Sequence, residues 1–453
     1  MASTLRINIE LLRKLRDDDP RRLIRVLAEL DVVQLAAALD NSALEDTRRV
    51  FRLLEPERRS EVFGYLRPEV AAALIERTGD DDAAALLEEQ DADDIVDILG
   101  ELEPARLREI LARFDPEDVP EIEELLAYPD DTAGGIMSPD FVSIGPEGTV
   151  GALLEKIRNL EDPPSQIYYS YVVDENGALL GTVGLRELVL SRTDRQVRDL
   201  MDTDIVAVTP GADQEEVADI ASRYDLVAIP VLGDDRRLLG VVTIDDIVDV
   251  LREEATEDIL KMAGAGEELA ETRAFWQSFR ARLPWLGAAA FGGLLVAMTL
   301  SGFEGALRSV PVLALFMPVV AGMGGNVGTQ SSTIVVRGLA VGFVERSALS
   351  KVVAREMGLG ALLGLIYGVA IALAAPYVGA TVDEPMRLGI VLTLGMIGSM
   401  TIAATVGASI PLLMDRLRID PAVSTGPFVT TAVDILGLLF YFWLSTVLLG
   451  VSL

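Results

Sequence analysis

The sequence predicts a multidomain fold: an all-α superhelical N-domain, an α+β pair of tandem modules, a connecting acidic helix and a five-helix α transmembrane domain. Two observations predict it. The chain has 453 residues, which is too long for one ordinary domain. Half of the residues are hydrophobic although the formal charge is −32. The two properties are segregated, because residues 1–279 hold 63 acidic and 29 basic side chains, and residues 280–453 hold eight and ten.

Residues 1–130 are predicted to form the acidic helical N-domain. Apolar residues recur there at three- and four-residue spacing, as in Val50-Phe51-Leu53-Leu54. Four prolines suit the first turns of short helices, namely Pro56, Pro68, Pro104 and Pro116. The first 19 residues carry charges where a signal peptide needs an apolar stretch, so we expect a cytoplasmic N-terminus.

An internal repeat then predicts a first module over 131–199 and a second over 200–250. Residues 171–188 match residues 230–247 at an offset of 59. Each copy reads as strand, helix, strand, tight turn, strand and helix. The pair resembles two tandem cystathionine-beta-synthase modules, and this resemblance implies a regulatory unit that often binds adenine nucleotides such as ATP.

The second copy ends in Thr243-Ile-Asp-Asp246, which is similar to that family's Thr-x-x-Asp ribose-contacting pattern. The first copy has Gly184 and Glu187 at the matching positions and lacks the pattern. Thr243 and Asp246 are therefore candidate nucleotide-binding residues. A hydroxyl and an aspartate at a helix start also form an ordinary N-cap, so both interpretations stay open.

Acidic residues are clustered on two predicted helices. The connecting helix, residues 251–280, continues a ridge formed by Asp246, Asp249, Glu253 and Glu257, which lie within about 80° of one another at 100° per residue. The N-domain has a similar cluster, Asp91, Asp93, Asp94, Asp97 and Glu101. Such runs are usually solvated faces. Because like charges at this spacing destabilise a helix, cations that bridge the faces are the alternative, and Mg²⁺ is the abundant cytosolic candidate.

Residues 281–453 are predicted to form a transmembrane pore domain. A helix needs about 20 apolar residues to cross a bilayer, and five stretches have that length: 283–303, 311–338, 356–379, 388–414 and 423–450. The positive-inside rule agrees with a cytoplasmic N-terminal half and a C-terminus on the outer side of the membrane. Eight basic residues flank the expected cytoplasmic side (Arg280, Arg282, Arg337, Arg346, Lys351, Arg355, Arg416 and Arg418), and the opposite loops hold only Arg308 and Arg387.

Asp434 is the only clear acidic residue deep in a predicted span. A carboxylate in lipid costs at least ~2.5–3.5 kcal/mol, so Asp434 should face the bundle interior or a water-filled path. Gly426, Thr430 and Asp434 share one helical stripe that can line a pore. The alternative is an acid that is hydrogen-bonded within the bundle.

The second predicted span contains four glycines within seven positions: Gly322, Gly324, Gly325 and Gly328. A bare backbone beside Asn326, Thr329 and Gln330 offers carbonyl and polar groups to water or to an ion. The alternative is close helix packing through small residues.

Gly324-Gly-Asn-Val-Gly328 and Pro427-Phe-Val-Thr-Thr-Ala-Val-Asp434, in this domain order, resemble the MgtE family of magnesium channels and transporters over essentially the whole chain. The resemblance implies a homodimer whose pore lies on the symmetry axis, where Asp434 of each subunit binds hydrated Mg²⁺. It also implies path neighbours at Gly325, Asn326, Gly328, Gly426 and Thr430. A cytosolic Mg²⁺ sensor is implied at Asp94, Asp97, Asp249, Glu253, Glu254, Glu257 and Asp258.

We therefore expect a Mg²⁺-selective channel in the plasma (inner) membrane that imports magnesium and is closed by cytosolic Mg²⁺. Mg²⁺, membrane lipid and a second copy are the expected partners. The acidic N-terminal part, residues 1–279, repels phosphate backbones, which argues against nucleic acid as a partner. No enzyme is expected, because histidine and cysteine are absent and no nucleophile with its base is recognisable. An ion-coupled secondary transporter and a membrane-anchored nucleotide sensor are the alternatives.

Overall fold

The computed structural model describes residues 27–160, 164, 167–264, 275–340, 349–378 and 385–450, and it divides into two compact units at residues 251 and 252. The fold class is the predicted one, with a helical N-domain, a module pair, an acidic helix and five membrane-length helices. Both chain termini and Arg346 lie outside the described residues, so the predictions made on them stay predictions.

Eight short helices form the described part of the N-domain: α1 Val32–Asp40, α2 Leu44–Phe51, α3 Pro56–Phe63, α4 Pro68–Ile75, α5 Asp80–Leu87, α6 Ala92–Gly100, α7 Pro104–Leu111 and α8 Val119–Leu125. Pro56, Pro68 and Pro104 begin helices as predicted. The expectation for Pro116 is wrong, because residue 116 lies in a turn and the last helix begins three residues later, with Pro120 in its first turn. Helices mostly contact the helix two places further along, which gives the superhelical stack.

The module pair contains five strands among the described residues: β1 Ser143–Ile144, β2 Tyr169–Val173, β3 Leu179–Gly184, β4 Ala228–Leu232 and β5 Leu238–Thr243. β1 is parallel to β2, whereas the pairs β2–β3 and β4–β5 are antiparallel. The helices are α9 Val150–Arg158, α10 Leu185–Leu190 and α11 Gln214–Tyr224. The strand expected at the start of the second copy is reduced to one bridge, between Val208 and Val231.

The first residues of each copy lie on the sheet of the other copy. Ser138, which the repeat assigns to the first module, pairs with Val241 of β5, and Asp202 pairs with Thr182 of β3. Glycines permit both approaches, because a Cβ at Gly181 or Gly240 would lie 2.8 Å from the backbone oxygen of the crossing segment. The two copies are therefore interleaved rather than separate.

A continuous helix, α12 Ile244–Met262, leaves the second copy. We call α12 the connecting helix. Five helices are long and apolar enough to cross a membrane: α13 Phe275–Ser301, α15 Val312–Ala340, α16 Leu349–Ala374, α17 Pro385–Arg416 and α18 Pro427–Leu449. A short helix, α14 Glu304–Ser309, and 3₁₀ turns at Ala375–Val378 and Pro421–Thr425 complete this unit.

Helix α17 packs against α15, α16 and α18 and so forms the centre of the membrane unit. Its buried Met396 and Met400 lie in one apolar cluster with Leu313 of α15 and Tyr441 of α18. The Tyr441 hydroxyl donates a hydrogen bond to the Leu313 carbonyl oxygen at 3.3 Å, which satisfies the polar end of a fully buried ring. This arrangement packs α18, which carries Asp434, against α15 and α17.

Helix α16 approaches α17 through the glycine at position 364. A Cβ there would lie 2.5 Å from Ile397 Cα and 2.7 Å from the Met396 carbonyl oxygen. We expect Gly364→Val to destabilise the membrane unit by about 1–3 kcal/mol, the usual effect of overpacking. Thermal unfolding in detergent measures it. Gly358→Val on the same helix is the matched control, because a Cβ there meets nothing within 4 Å. Equal melting temperatures for the two variants would contradict the prediction.

Candidate functional site

The site is built round the start of α18. Gly426 precedes the helix, Pro427 occupies its first turn and Asp434 follows two turns later. The Asp434 side chain is half-buried, and it forms no hydrogen bond or ion pair with any residue that the structure describes. The interpretation of Asp434 as an acid hydrogen-bonded within its own bundle therefore has no support in the described chain. A carboxylate at this depth requires water, a cation or a second chain as its partner.

Thr430 lies on the same stripe of α18, one turn before Asp434. Its hydroxyl donates to the carbonyl oxygens of Gly426 and Pro427, both at 3.2 Å. The hydroxyl proton is thus used within the helix, and the oxygen keeps lone pairs that can accept a hydrogen bond from water.

The glycines of α15 divide between two environments. Gly324 and Gly328 are buried in a seam with α18, where a Cβ at Gly328 would lie 2.9 Å from Val433 Cγ2. Gly328 also meets Gly407 of α17, since a Cβ at Gly407 would lie 2.2 Å from the Gly328 carbonyl oxygen. Packing therefore explains these two positions, and Gly328 lies in the seam rather than on an open face. A Cβ at Gly325 would meet no atom within 4 Å, so this residue is on the open side.

A polar face of α15 is exposed in the single chain. Asn326, Gln330 and Thr333 are exposed and follow Gly322 at helical spacing. A polar face on a membrane helix must contact water or protein, because lipid cannot satisfy its hydrogen-bonding groups. Gly324 of α15 and Val433 of α18 face each other across the seam. Gly325 and Asp434 are the residues that follow them in the sequence, so both lie beside this seam.

Glu356 is a second acidic residue within a span, and sequence reasoning missed it. The expected span began at residue 356, whereas α16 begins at Leu349. Glu356 is only 6% exposed and accepts a hydrogen bond from the Ser331 hydroxyl at 2.8 Å. Helical spacing of apolar residues before position 356, at Leu349, Val352 and Val353, was the signal that could have found it. Asp434 is therefore not the only acid of the spans, but Glu356 has a partner and Asp434 has none among the described residues.

The end of the connecting helix contacts the residues that begin α18. Lys261 Nζ forms ion pairs with Glu257 and with Asp420, at 2.8 Å from the Asp420 carboxylate. Asp420 also accepts from the Ala422 backbone N–H at 2.7 Å and so caps the turn that leads to Gly426. Burial, the negative charge of Asp420 and that of Glu254 raise the pKa of Asp258. Acidic residues expected in the sensor therefore lie close to the start of α18.

A second acidic cluster joins α6 of the N-domain to the start of α12. Burial and the negative charges of Asp93 and Asp245 raise the pKa of Asp246 to about 8. Burial and the charge of Asp93 also raise the pKa of Asp94 to about 7, and burial raises that of Asp93 to about 6. One carboxylate oxygen of Asp93 is buried without a hydrogen-bond partner. Negative charge on this contact is therefore incompletely compensated.

The expected sensor residues do not form a ready-made metal centre. Within the described ranges, no group of three or more acidic side chains converges closely enough to hold a metal ion. Asp94 and Asp97 lie on α6, and the others lie along α12: Asp249, Glu253, Glu254, Glu257 and Asp258. Carboxylates that neighbour one another without converging suit an ion that keeps several of its waters, as Mg²⁺ does.

A small, partly open pocket of about 20 Å³ lies in the module pair, and aromatic rings line much of it. Its lining includes Phe141, Tyr168, Tyr169, Tyr171, Val241 and Thr243. The Thr243 hydroxyl donates to Asp246 at 3.0 Å, and the Thr243 backbone N–H donates to the same carboxylate at 3.4 Å. The backbone contact is one half of a capping box at the start of α12, and of the two residues only Thr243 lines the pocket.

The acidic contact between α6 and α12 predicts a pH dependence. A carboxyl group whose pKa is raised on folding stabilises the fold at low pH, and this contribution is lost as pH rises through the folded value. In Mg²⁺-free buffer we expect the unfolding free energy of the soluble part to fall by about 1–3 kcal/mol between about pH 4 and pH 8, after discounting for solvent screening. Thermal unfolding of the full chain at several pH values measures it.

Asp246→Asn should flatten that pH profile, because the amide cannot ionise while its oxygen still accepts from Thr243. Millimolar Mg²⁺ should restore the stability lost at pH 8. A wild-type profile that does not change over this range would contradict the prediction.

Three family models match the chain. The model for the divalent cation transporter MgtE matches residues 317–444, and that for the MgtE intracellular N domain matches residues 30–131. The CBS domain model matches twice, over residues 133–192 and 197–253. The matches fall on the N-domain, on both module copies and on most of the membrane unit.

Curated proteins and a solved structure are similar to the chain. The magnesium transporter MgtE of Enterococcus faecalis is 38% identical over 327 residues, which cover 72% of this chain and 71% of that protein. The magnesium transporter MgtE of Thermus thermophilus is 37% identical over 334 residues, which cover 73% and 72%. A structure described as the cytosolic domain of the Mg²⁺ channel MgtE in complex with ATP has 34% identity and a TM-score of 0.50, and covers 54% of this chain and 100% of that one.

Proposed function

The chain belongs to the MgtE family of divalent cation transporters, and on this premise we propose that it is a Mg²⁺-selective channel that imports magnesium. Membership of the family supports Mg²⁺ transport, and the five membrane-length helices make it a multi-pass membrane protein. We further propose a homodimer in the plasma (inner) membrane, surrounded by lipid. Its N-terminal soluble part lies in the cytoplasm and its C-terminus lies outside.

One observation carries the proposal: Asp434 is half-buried in a span and has no hydrogen-bonding or ionic partner among the described residues. A carboxylate in this position needs water, a cation or a group of a second chain beside it. In a homodimer with α18 on the symmetry axis, two such carboxylates face one path. Gly426, Thr430, Gly325 and Asn326 are proposed to lie along it.

The chemistry of Mg²⁺ suits this arrangement. Mg²⁺ gives up its waters reluctantly, and proteins usually bind it through one or two carboxylates while several waters remain. A pair of carboxylates acting through the hydration shell selects by charge and by the size of the hydrated ion. One carboxylate from each subunit on the path therefore matches a hydrated divalent cargo better than a dehydrated monovalent ion.

Cytosolic Mg²⁺ is proposed to close the pore through the acidic faces of α6 and α12. Ions that bridge these faces would favour the ionised forms of Asp93, Asp94 and Asp246 and compact the soluble part. The connecting helix ends against the start of α18, which supports a mechanical link to the path. When Mg²⁺ is scarce, the faces repel and the pore opens.

The energies involved are sufficient. Moving a gate from 1:99 to 99:1 takes ~5.5 kcal/mol of differential binding. Two unit charges ~4 Å apart interact by ~4 kcal/mol at an effective dielectric of ~20, so a few bridged pairs in each subunit are enough.

Mg²⁺ flux into proteoliposomes tests the function. A Mg²⁺-sensitive dye inside the vesicles should report uptake down a Mg²⁺ gradient, and bilayer recordings should show unitary currents. Saturable flux that requires a second ion gradient would instead identify a coupled transporter. Absence of flux with retained nucleotide binding would identify a membrane-anchored nucleotide sensor.

A regulatory nucleotide is the second proposal, because a pocket is present where the module resemblance implies one. Its aromatic rings can stack on an adenine base, and Thr243 offers a hydroxyl to the ribose. We expect purified protein to bind ATP, and Tyr169→Ala to weaken binding by about tenfold, as loss of one base–aromatic stack does. Calorimetry measures it, with Tyr65→Ala, an exposed tyrosine of the N-domain, as the control. Equal affinities would contradict the pocket assignment.

A further inference from the structure

The ion pair between the connecting helix and the turn before α18 is not explained by the proposed function. Lys261 is the last basic residue of α12 and its side chain is 18% exposed. It is paired with Glu257 on its own helix and with Asp420, whose carboxylate is 37% exposed. Lys261 thus places a fixed positive charge among the carboxylates that are proposed to attract Mg²⁺ at this end of the helix.

The contact links two functional elements. Asp420 caps the 3₁₀ turn Pro421–Thr425, and that turn leads directly to Gly426 and to α18. Gly264, three residues after Lys261, lies against the same point, because a Cβ at Gly426 would be 3.5 Å from Gly264 Cα. Asp258 is close enough to Asp420 to feel its negative charge. An ion that binds Asp258 and Asp420 therefore enters the immediate surroundings of the Lys261 ammonium group.

We propose that Lys261 is a tethered cation that competes with Mg²⁺ for Asp420 and its acidic neighbours and so sets the Mg²⁺ concentration at which the channel closes. The inference rests on the proposed closure by cytosolic Mg²⁺. Lys261 acts indirectly, because it contacts the carboxylates and not the ion in the path. Its ammonium group lowers the affinity of the carboxylates for Mg²⁺, and a sensor for an abundant ion needs weak binding.

Electrostatics gives the sign and size of the effect. A unit charge about 6 Å from a divalent ion in a water-like dielectric changes its binding by about three- to tenfold once salt screening is included. Removing the charge of Lys261 should therefore lower the closing concentration of Mg²⁺ by that factor. Removing the charge of Asp420 should raise it by a similar factor.

This opposition of signs separates the proposal from a structural role. If the ion pair merely held the helix against the turn, breaking it from either side would shift closure in the same direction. Asp420→Asn is suitable because the amide oxygen can still accept from the Ala422 N–H and keep the turn capped. Lys261→Met keeps the length and apolar stem of the side chain.

The experiment uses full-length protein in two assays over a Mg²⁺ titration. Currents from reconstituted channels give the concentration that half-closes the pore from the cytosolic side. Digestion by chymotrypsin in detergent gives the concentration that half-protects the soluble part, and this protease does not cleave after lysine. Lys261→Arg should stay within about twofold of wild type because the charge remains. Lys351→Met is the control, since this exposed lysine lies at the start of α16.

We expect Lys261→Met to lower both midpoints and Asp420→Asn to raise both. A Lys261→Met midpoint that is unchanged or higher overturns the inference, and so does an Asp420→Asn midpoint that fails to rise. Wild-type channels that ignore cytosolic Mg²⁺ would overturn the closure proposal itself, which is a distinguishable result.

Discussion

Replacing Asp434 by asparagine is expected to reduce Mg²⁺ flux by at least about tenfold. The change keeps the shape of the side chain and removes its charge. A unit charge and a divalent ion ~5 Å apart, with one water shell between them, interact by about 1.7 kcal/mol in a water-like dielectric and by more in a drier site. Because 1.4 kcal/mol is a factor of ten, the loss at one position is large, and a dimer loses two charges. Proteoliposome uptake measures it.

The matched control for Asp434→Asn is Glu304→Gln, which also removes one negative charge from the membrane unit. Glu304 is exposed at the start of α14, where it pairs with Arg308. A surface ion pair of this kind contributes little, so flux should stay at the wild-type level. Retained flux in Asp434→Asn, with comparable protein in the vesicles, would remove this residue from the path.

Neutralising Glu253, Glu254, Glu257 and Asp258 together is expected to give a channel that stays open at millimolar Mg²⁺. The four side chains supply the negative charge of the connecting helix close to the start of α18. Without these carboxylates the helix cannot bind Mg²⁺, and the differential binding that closes the gate is lost. Currents recorded while Mg²⁺ is raised on the cytosolic side measure the effect, and flux through the open pore should remain.

An equal loss of charge elsewhere provides the control for the quadruple variant. Glu45, Glu55, Glu57 and Glu61 are exposed on α2, α3 and their connection, and replacing them by glutamine changes the net charge by the same amount. Closure should survive in this variant. Normal closure in both variants would make the acidic ridge of α12 a solvated face with no sensory role.

Much of the fold could be predicted from the sequence because its signals are local. Prolines at the first positions of α3, α4 and α7 and apolar runs of span length each determine their own element. The interleaving of the modules could not be predicted, since the repeat does not show which sheet the segments at Ser138 and Asp202 join. Partner choice between two similar sheets depends on contacts that are distant in sequence.

The candidate site divides in the same way. The depth of Asp434 follows from hydropathy alone, and its lack of a partner in the described chain needed coordinates. The glycine run of α15 predicts either packing or an open backbone, and the structure assigns Gly324 and Gly328 to packing and Gly325 to the open side. Lys261 and Asp420 lie 159 positions apart and carry no motif, so only tertiary structure brings the ion pair together.

The crossing of Ser138 onto β5 and of Asp202 onto β3 has a consequence for biosynthesis. The first sheet needs Asp202 of the second copy, and Ser138 has no partner until the ribosome has made β5, which ends at Thr243. The hydrophobic α13 begins at Phe275, only 32 residues later, so its delivery to the translocon follows almost at once. We expect the module pair to mature as a single cooperative step after synthesis of both copies, with nascent chains that stop near residue 200 remaining sensitive to protease.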